Sequence, residues 1–364
     1  MRRRLEDGRM RSVFGLAAVL AAATPAPSSA ASMKSFGGAA KQSQERASVI
    51  YPALFESLPS MEGKTVALTG TSRGLGYVTA ISLAKKGARL LLLNRASPAA
   101  ETALEDIANA ATGPVPIAVE CDLLSFDSVR TAAGSVQAAL SKSGGALDVL
   151  CCSAGVMMQP DLPSADGYDI TASTNVLSHF LLVRELMPAL ERAATVTGEA
   201  RVVSMSSGSG FGPPVFDPRF YERNGGALGG REQSYERYHQ SKLANMLFTI
   251  SLHEKLSARG SKVKALACTP GVCATDMFVH VQSLARPGQP ADLASVQSVE
   301  DGACGQLICI CEPTARSGQL FGPQGMGGAP TELLMGPPAV PIDKRSKTEL
   351  WEACERATGG AFEV

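Results

Sequence analysis

A short apolar run, Thr65-Val66-Ala67-Leu68-Thr69, leads directly into Gly70-Thr71-Ser72-Arg73-Gly74-Leu75-Gly76. From Gly76 to Lys86, apolar residues then recur at Val78, Ala80, Ile81, Leu83 and Ala84. The run reads as a buried parallel strand and the recurrence as a helix. Glycines between the two let the backbone turn tightly and approach a phosphate, which then sits on the helix N-terminus. Strand, glycine loop and helix in this order point to an α/β unit that can hold a dinucleotide pyrophosphate through Gly70, Ser72, Gly74, Leu75 and Gly76. The spacing is G-x-x-x-G-x-G, looser than G-x-G-x-x-G, and a lone cluster of this kind also serves as an ordinary tight turn.

The next strand, Ala88 to Leu93, supplies a test. Where an acid would bind the hydroxyls of an adenosine ribose, this chain has Asn94-Arg95, and Arg73 sits inside the glycine loop. Forked guanidinium donors suit a 2′-phosphate. The expected cofactor is therefore NADP(H), the alternative being that Arg73 and Arg95 are ordinary surface arginines.

About 170 residues downstream stands Tyr238-His239-Gln240-Ser241-Lys242. It places a phenol and an ammonium one helical turn apart on one face. A hydride delivered to a carbonyl carbon leaves charge on the oxygen, which must receive a proton, and a phenol can donate it once its pKa of about 10 is lowered. Lys242 supplies the positive charge that favours phenolate. Ser207 would hold the substrate oxygen near Tyr238, although Ser204, Ser206 and Ser209 are also candidates. His239 points about 100° away around the helix and reads as surface. An isolated Y-x-x-x-K is usually structural, but one that follows a glycine loop reads as catalytic.

From about Lys64 to Gly322 the chain resembles the short-chain dehydrogenases/reductases. Thr69 to Gly76 matches their T-G-x-x-x-G-x-G loop, and Cys121-Asp122-Leu123 follows the third strand, with Asp122 at the adenine-contacting position. Leu147 to Gly155 matches the fourth strand and N-N-A-G motif, here Cys152-Ser153-Ala154-Gly155, so serine replaces the asparagine that steadies the sheet. A serine hydroxyl can do this only in part. Thr174-Asn175-Val176 matches the asparagine of the catalytic tetrad, which the resemblance gives a water-positioning role. Arg201 to Ser207 matches the fifth strand and its serine, and Tyr238 with Lys242 the Y-x-x-x-K pair. Pro270-Gly271 with Thr275 matches the loop around the nicotinamide. The likeness is strongest to retinol-dehydrogenase-like and protochlorophyllide-reductase-like members, through Tyr238 to Phe248 and the long insert Gly208 to Arg237. It implies a Rossmann-type doubly wound parallel sheet with helices on both faces, in one domain.

The 364 residues exceed the roughly 270 that one α/β domain needs. Expected segments are a targeting peptide at 1–32, an extension at 33–60, the NADP-binding domain at 61–330 and a packed tail at 331–364. Lys plus Arg balances Asp plus Glu at 34 each, so no basic field suggests nucleic acid. Nine cysteines show no metal-site spacing and read as reduced, partly buried thiols, with Cys304, Cys309 and Cys311 packing on one helix. At the N-terminus, Arg2, Arg3, Arg4, Arg9 and Arg11 precede the apolar Val13 to Ala23 and then small residues through Ser32. That order resembles a cleaved peptide for an organelle, a plastid among them, or for the secretory pathway. In the extension, Val49, Ile50, Leu54, Phe55 and Leu58 can line a helix face for docking on the domain or on a membrane surface. A lid is expected around Phe278 to Leu293, a helix from near Ser295, and a loop from Pro330 to Ile342.

Phe211, Phe216, Phe220, Tyr221, Met277 and Phe278 would suit a lipophilic substrate, or else simply pack the insert. The expected partner is a small-molecule carbonyl or alcohol, and a homo-oligomer is left open. Two alternative functions remain: light-dependent reduction of a tetrapyrrole, and NADP(H) sensing or scaffolding without turnover.

Overall fold

A computed structural model describes residues 45–213, 215–335 and 342–364; the expected targeting peptide lies outside the described residues. Eight strands form one sheet: β1 (Thr65–Thr69), β2 (Arg89–Asn94), β3 (Ile117–Glu120), β4 (Val149–Cys152), β5 (Ala200–Met205), β6 (Val263–Cys268), β7 (Leu320–Gly322) and β8 (Thr331–Leu333). Their spatial order is β3-β2-β1-β4-β5-β6-β7-β8, parallel throughout except for the antiparallel β8. The helices are α1 (Tyr51–Ser57), α2 (Gly74–Lys85), α3 (Pro98–Ala110), α4 (Phe126–Ser141), α5 (Ser178–Thr197), α6 (Ser234–Ala258), α7 (Asp276–Ala285), α8 (Val299–Cys311) and α9 (Lys344–Thr358).

The central strands β1, β2, β4, β5 and β6 are apolar on both faces because both faces are covered, as a parallel sheet requires, while the edge strands β3 and β8 are largely exposed. Val66, Leu68, Leu90, Leu92, Val149 and Cys151 pack with α2, α3 and α8. Ala67, Leu91, Leu93, Leu150 and Cys152 alternate with them and pack with α4, α5, α6 and α9. This is the expected doubly wound α/β architecture. All nine cysteines are buried free thiols, and Cys151 and Cys152 lie on opposite faces.

The order of strand addition reverses between β1 and β4, leaving the crevice where open α/β sheets bind ligands. Both ends of the chain pack against this frame. The Asp301 carboxylate accepts the N–H groups of Val49, Ile50 and Tyr51, while the Tyr51 hydroxyl lies 2.8 Å from that of Ser82. Lys86 sits 4.7 Å from the centre of the Phe55 ring. On the other face Trp351 packs edge-on to Phe180 and stacks on Phe248 and Phe362.

Three local expectations change. The helix expected near Ser295 begins at Val299, because the Ser298 side chain caps it by accepting from Asp301 N–H; Leu293–Ser295 is a single 3₁₀ turn. The stretch expected to be a loop after Pro330 opens with β8, which extends the sheet past β7, and 336–341 lie outside the described residues. Helix α2 starts at Gly74, two residues early, since Gly74 and its neighbours already turn into the helix.

Candidate active site

The site grows from three loops at the C-terminal ends of β1, β4 and β5, together with α6. After β1, Gly70 takes φ +74°, and a Cβ there would lie 2.7 Å from Ala154 Cα. A Cβ on Gly76 would fall 2.2 Å from the Gly70 carbonyl oxygen. Only glycine permits this close approach, which brings the loop of β1 against that of β4. The twelve-residue α2 opens toward this cradle with the unpaired N–H groups of its first turn.

Asn94 at the end of β2 turns back onto the loop: its carbonyl oxygen accepts from Thr71 N–H and its amide donates to the Thr71 hydroxyl. Its side chain therefore shapes the loop and does not reach out from it. Arg95 is exposed beside it, as are Ser72 in part and Arg73 more fully. Arg73 pairs with Asp276 at the start of α7 across 3.1 Å, both side chains about 70% exposed. Asp122 folds over its own turn by accepting from Leu124 N–H, and Leu123 is buried below it.

In the loop after β4, the N–H groups of Ser153 and Ala154 both donate to the Thr69 hydroxyl at 3.0 Å. The Ser153 hydroxyl donates to Gln306, which is fully buried and also donates to the Cys151 sulfur at 2.7 Å. The serine thus keeps a sheet-bracing bond, made to α8 where an asparagine would have bonded backbone. Gly155 lies against Asn175 and Lys242; a Cβ there would be 3.3 Å from Asn175 Oδ1 and 3.4 Å from Lys242 Nζ.

Asn175 sits in a π-helical turn, Ser173–Leu177, just before α5. Its side chain closes a ring with Val156, accepting from that N–H and donating to that carbonyl. It also donates to Ser241, whose hydroxyl donates to the Tyr238 carbonyl at 2.7 Å. This chain of bonds gives Ser241 of Y-x-x-S-K its purpose: it ties the asparagine turn to α6.

Tyr238 is 5% exposed, and its hydroxyl faces Ser207, the cap of the 3₁₀ turn that follows β5. Burial pushes this phenol up to about 12, against the lesser downward pull of Ser207. The sequence argument expected a lowered value. Here the Lys242 ammonium is 5.6 Å from the ring centre and donates to the Met205 carbonyl at 3.0 Å, so for the neutral phenol burial decides. Burial also brings Lys242 down to about 8. Thr275 caps α7 by accepting from Phe278 N–H, and the Pro270-Gly271 loop is held by Gln297, whose amide donates to the Pro270 carbonyl.

His239 is not a surface residue. It packs tilted against Tyr235 with ring centres 4.0 Å apart, lies against Gly212 of the insert, and burial brings it down to about 4. The insert folds back over α6, covering a face that a bare helix would have exposed. Phe216, Phe220 and Tyr221 likewise belong to the core, with Tyr221 donating to the Gln240 carbonyl. Of the candidate substrate-lining aromatics, Phe211 and Phe278 stay half-buried, with Met277 beside them.

Sequence reasoning passed over several residues that organise the site. Arg237 and Asp169 form an ion pair at 3.1 Å with both side chains 1% exposed. Arg237 donates further to the carbonyls of Leu228, Gly230 and Gln159. Asp161 accepts from the N–H groups of Gly226, Leu228 and Gly230. The place of Arg237, directly before the tyrosine and on a face that must be buried, was its only signal. His179 also went unnoticed, though it lies one turn after Asn175.

A glycine cradle at a helix N-terminus, beside a buried tyrosine, lysine and asparagine and a half-buried serine, is the arrangement of a dinucleotide-binding oxidoreductase. Residues 64–218 match the family model for short chain dehydrogenases. An uncharacterized oxidoreductase of Schizosaccharomyces pombe is 34% identical over 226 residues, a match covering 61% of this chain and 64% of that protein. Mouse retinol dehydrogenase 14 is 32% identical over 317 residues, covering 82% of this chain and 87% of the other. An uncharacterized protein from Mycobacterium paratuberculosis has a crystal structure similar at a TM-score of 0.66 and 28% identity, covering 85% of this chain and 98% of its own. The chain belongs to the short-chain dehydrogenase/reductase family, whose members are oxidoreductases that use nicotinamide cofactors.

Proposed function

We propose that the protein is an NADP(H)-dependent reductase or dehydrogenase of a lipophilic carbonyl or alcohol, with Tyr238 as its acid/base. The observation that carries this reading is the buried Tyr238 facing Ser207, with Lys242 and Asn175 beside it against Gly155 of the cradle loop. The residues present fit a dinucleotide: the loops of β1 and β4 approach as only glycines allow, at a helix N-terminus. Gly70, Ser72, Gly74, Leu75 and Gly76 would hold its pyrophosphate, Asp122 and Leu123 its adenine, and Ser153 to Gly155 the ribose side. Pro270, Gly271 and Thr275 would face the nicotinamide. When bound, the cofactor supplies or accepts the hydride.

Ser207 orients the substrate oxygen toward Tyr238. The phenol stays protonated at neutral pH, which suits donation to the oxygen of a carbonyl under reduction. Lys242, brought down to about 8, remains mostly charged at pH 7 and steadies negative charge on the phenol oxygen after the proton has left. Asn175, locked to Val156 and Ser241, is a fixed point for a water that replaces that proton. Arg95, exposed after β2, and Arg73, which also pairs with Asp276, would be the cations that meet a 2′-phosphate. Support for a lipophilic substrate comes from half-buried Phe211, Met277 and Phe278 and from a relative named for retinol.

The test is cofactor preference. NADPH should bind at least tenfold tighter than NADH, and Arg73→Ala with Arg95→Ala should erase the difference, the scale of a lost charge-assisted contact of about 1.5–3 kcal/mol. Equal binding of both cofactors by the unaltered protein would refute the NADP assignment. Light-dependent tetrapyrrole reduction would instead require pigment-dependent turnover only under illumination.

A further inference from the structure

His179 lies on α5, one turn beyond Asn175, and is 5% exposed. Its Nε2 is 2.9 Å from the Thr69 hydroxyl oxygen, and its Nδ1 is 3.3 Å from the Asn175 carbonyl oxygen. Counting hydrogens fixes the direction of both contacts. A threonine hydroxyl has one hydrogen and two lone pairs. Both lone pairs of Thr69 are occupied, by the N–H groups of Ser153 and Ala154. Its hydrogen must therefore go to His179, and Nε2 must accept it. The ring proton then resides on Nδ1, where it donates to the Asn175 carbonyl.

We infer that His179, as its Nδ1–H tautomer, is a positioning residue joining the cofactor cradle to the asparagine turn. Through Thr69 it holds the Ser153-Ala154 backbone against the end of β1. Through Nδ1–H it fixes the Asn175 carbonyl within a π-turn whose own backbone ladder is shifted, Ser178 N–H donating to Ser173 O. The glycine contact between Gly70 and Ala154 depends on the first arm, and the direction of Asn175 on the second. The inference rests on the proposed reading of these residues as a reductase site.

The two arms separate experimentally. The amide of glutamine reaches the position of Nε2 and can accept from Thr69, whereas that of asparagine reaches the position of Nδ1 and can donate to Asn175. His179→Asn should weaken NADPH binding, read by fluorescence titration, by about tenfold and more than it lowers kcat. His179→Gln should do the reverse, lowering kcat by about tenfold and more than it weakens binding. His179→Leu should lose both. A side chain that merely fills space would give Asn and Gln variants with the same ratio of the two effects, and that result would overturn the inference. Nitrogen-15 spectra of the unaltered full chain labelled at its four histidines give a second readout that needs neither turnover nor a folded variant. An unprotonated Nε2 beside a protonated Nδ1 in one buried ring is expected; the opposite tautomer, or a doubly protonated ring at neutral pH, would overturn it. Failure of NADPH to bind the unaltered protein would sink the reductase reading alone, because the tautomer is decided by the spectra.

Discussion

The ion pair of Asp169 and Arg237 offers a sharp perturbation because Arg237 sits directly before Tyr238 in α6 and the pair contacts neither Tyr238 nor Lys242 through its charged groups. Asp169→Asn keeps an oxygen for the N–H groups of Thr171 and Ala172, which Asp169 caps at 2.9 and 3.1 Å, and removes only the charge. The guanidinium is then left without a counter-ion at 1% exposure. Breaking a buried pair in this way costs about 3–5 kcal/mol. Three carbonyls still receive Arg237, so the low end, about 3 kcal/mol, is expected. Against a total stability of about 5–15 kcal/mol, that is a large share. Arg237→Met should cost less in charge, since burial already holds the Asp169 carboxyl above the usual range and it can take up a proton. It also releases the insert carbonyls that the arginine gathers. The double variant should be more stable than the sum of the two losses implies, by about 1–3 kcal/mol. Urea unfolding followed by circular dichroism at pH 7 measures all four corners of the cycle. A loss under 1 kcal/mol for Asp169→Asn, or strict additivity in the double variant, would refute the claim that this pair anchors α6.

Two further outcomes follow from the geometry. His179 stands at about 4 in the folded chain against an ordinary 6.5, with burial as the cause. The unfolded chain therefore binds a proton first, so stability is full above pH 6.5 and lost as pH falls toward 4. The loss from this group is on the order of 3 kcal/mol, read from urea midpoints at pH 7 and 4.5; His239, also brought down to about 4, adds a loss of its own, so His179→Gln should shrink the drop and not abolish it. Gly76→Ala forces a Cβ to within 2.2 Å of the Gly70 carbonyl, so it should cost about 1–3 kcal/mol and abolish NADPH binding by calorimetry. Unchanged affinity would mean that this loop does not form the cradle.

Much of this fold was legible because its central strands are buried on both sides and its helices on one. The uninterrupted Thr65–Thr69 and the periodic stretch after it could hardly form anything else, and the glycines marked where the two loops touch. Asn175, Ser207, Tyr238 and Lys242 could be singled out from residue type and order along the chain, and the structure brings them together at one crevice. What could not be read was how buried groups satisfy one another. Arg237, Asp169, Asp161 and Gln306 make their bonds to backbone groups far away in sequence, and no spacing rule announces such partners. His239 was misplaced for the same reason: helix periodicity gives a direction around α6 but not which segment folds over it. The direction of the Tyr238 shift also depended on where the Lys242 ammonium points, which Y-x-x-x-K spacing leaves open.

The central claim is that Tyr238 transfers a proton during hydride exchange, and absorbance at 340 nm tests it most directly. NADPH would be mixed with the protein and a panel of lipophilic aldehydes and ketones, retinal among them, beside Tyr238→Phe. Burial of the ring is preserved in phenylalanine, so the fold should hold while only the acid is lost. Turnover by the unaltered protein that falls by about 10²–10⁴-fold in Tyr238→Phe is the expected result. Turnover that survives the substitution, with both proteins equally stable and binding NADPH equally well, would contradict the account.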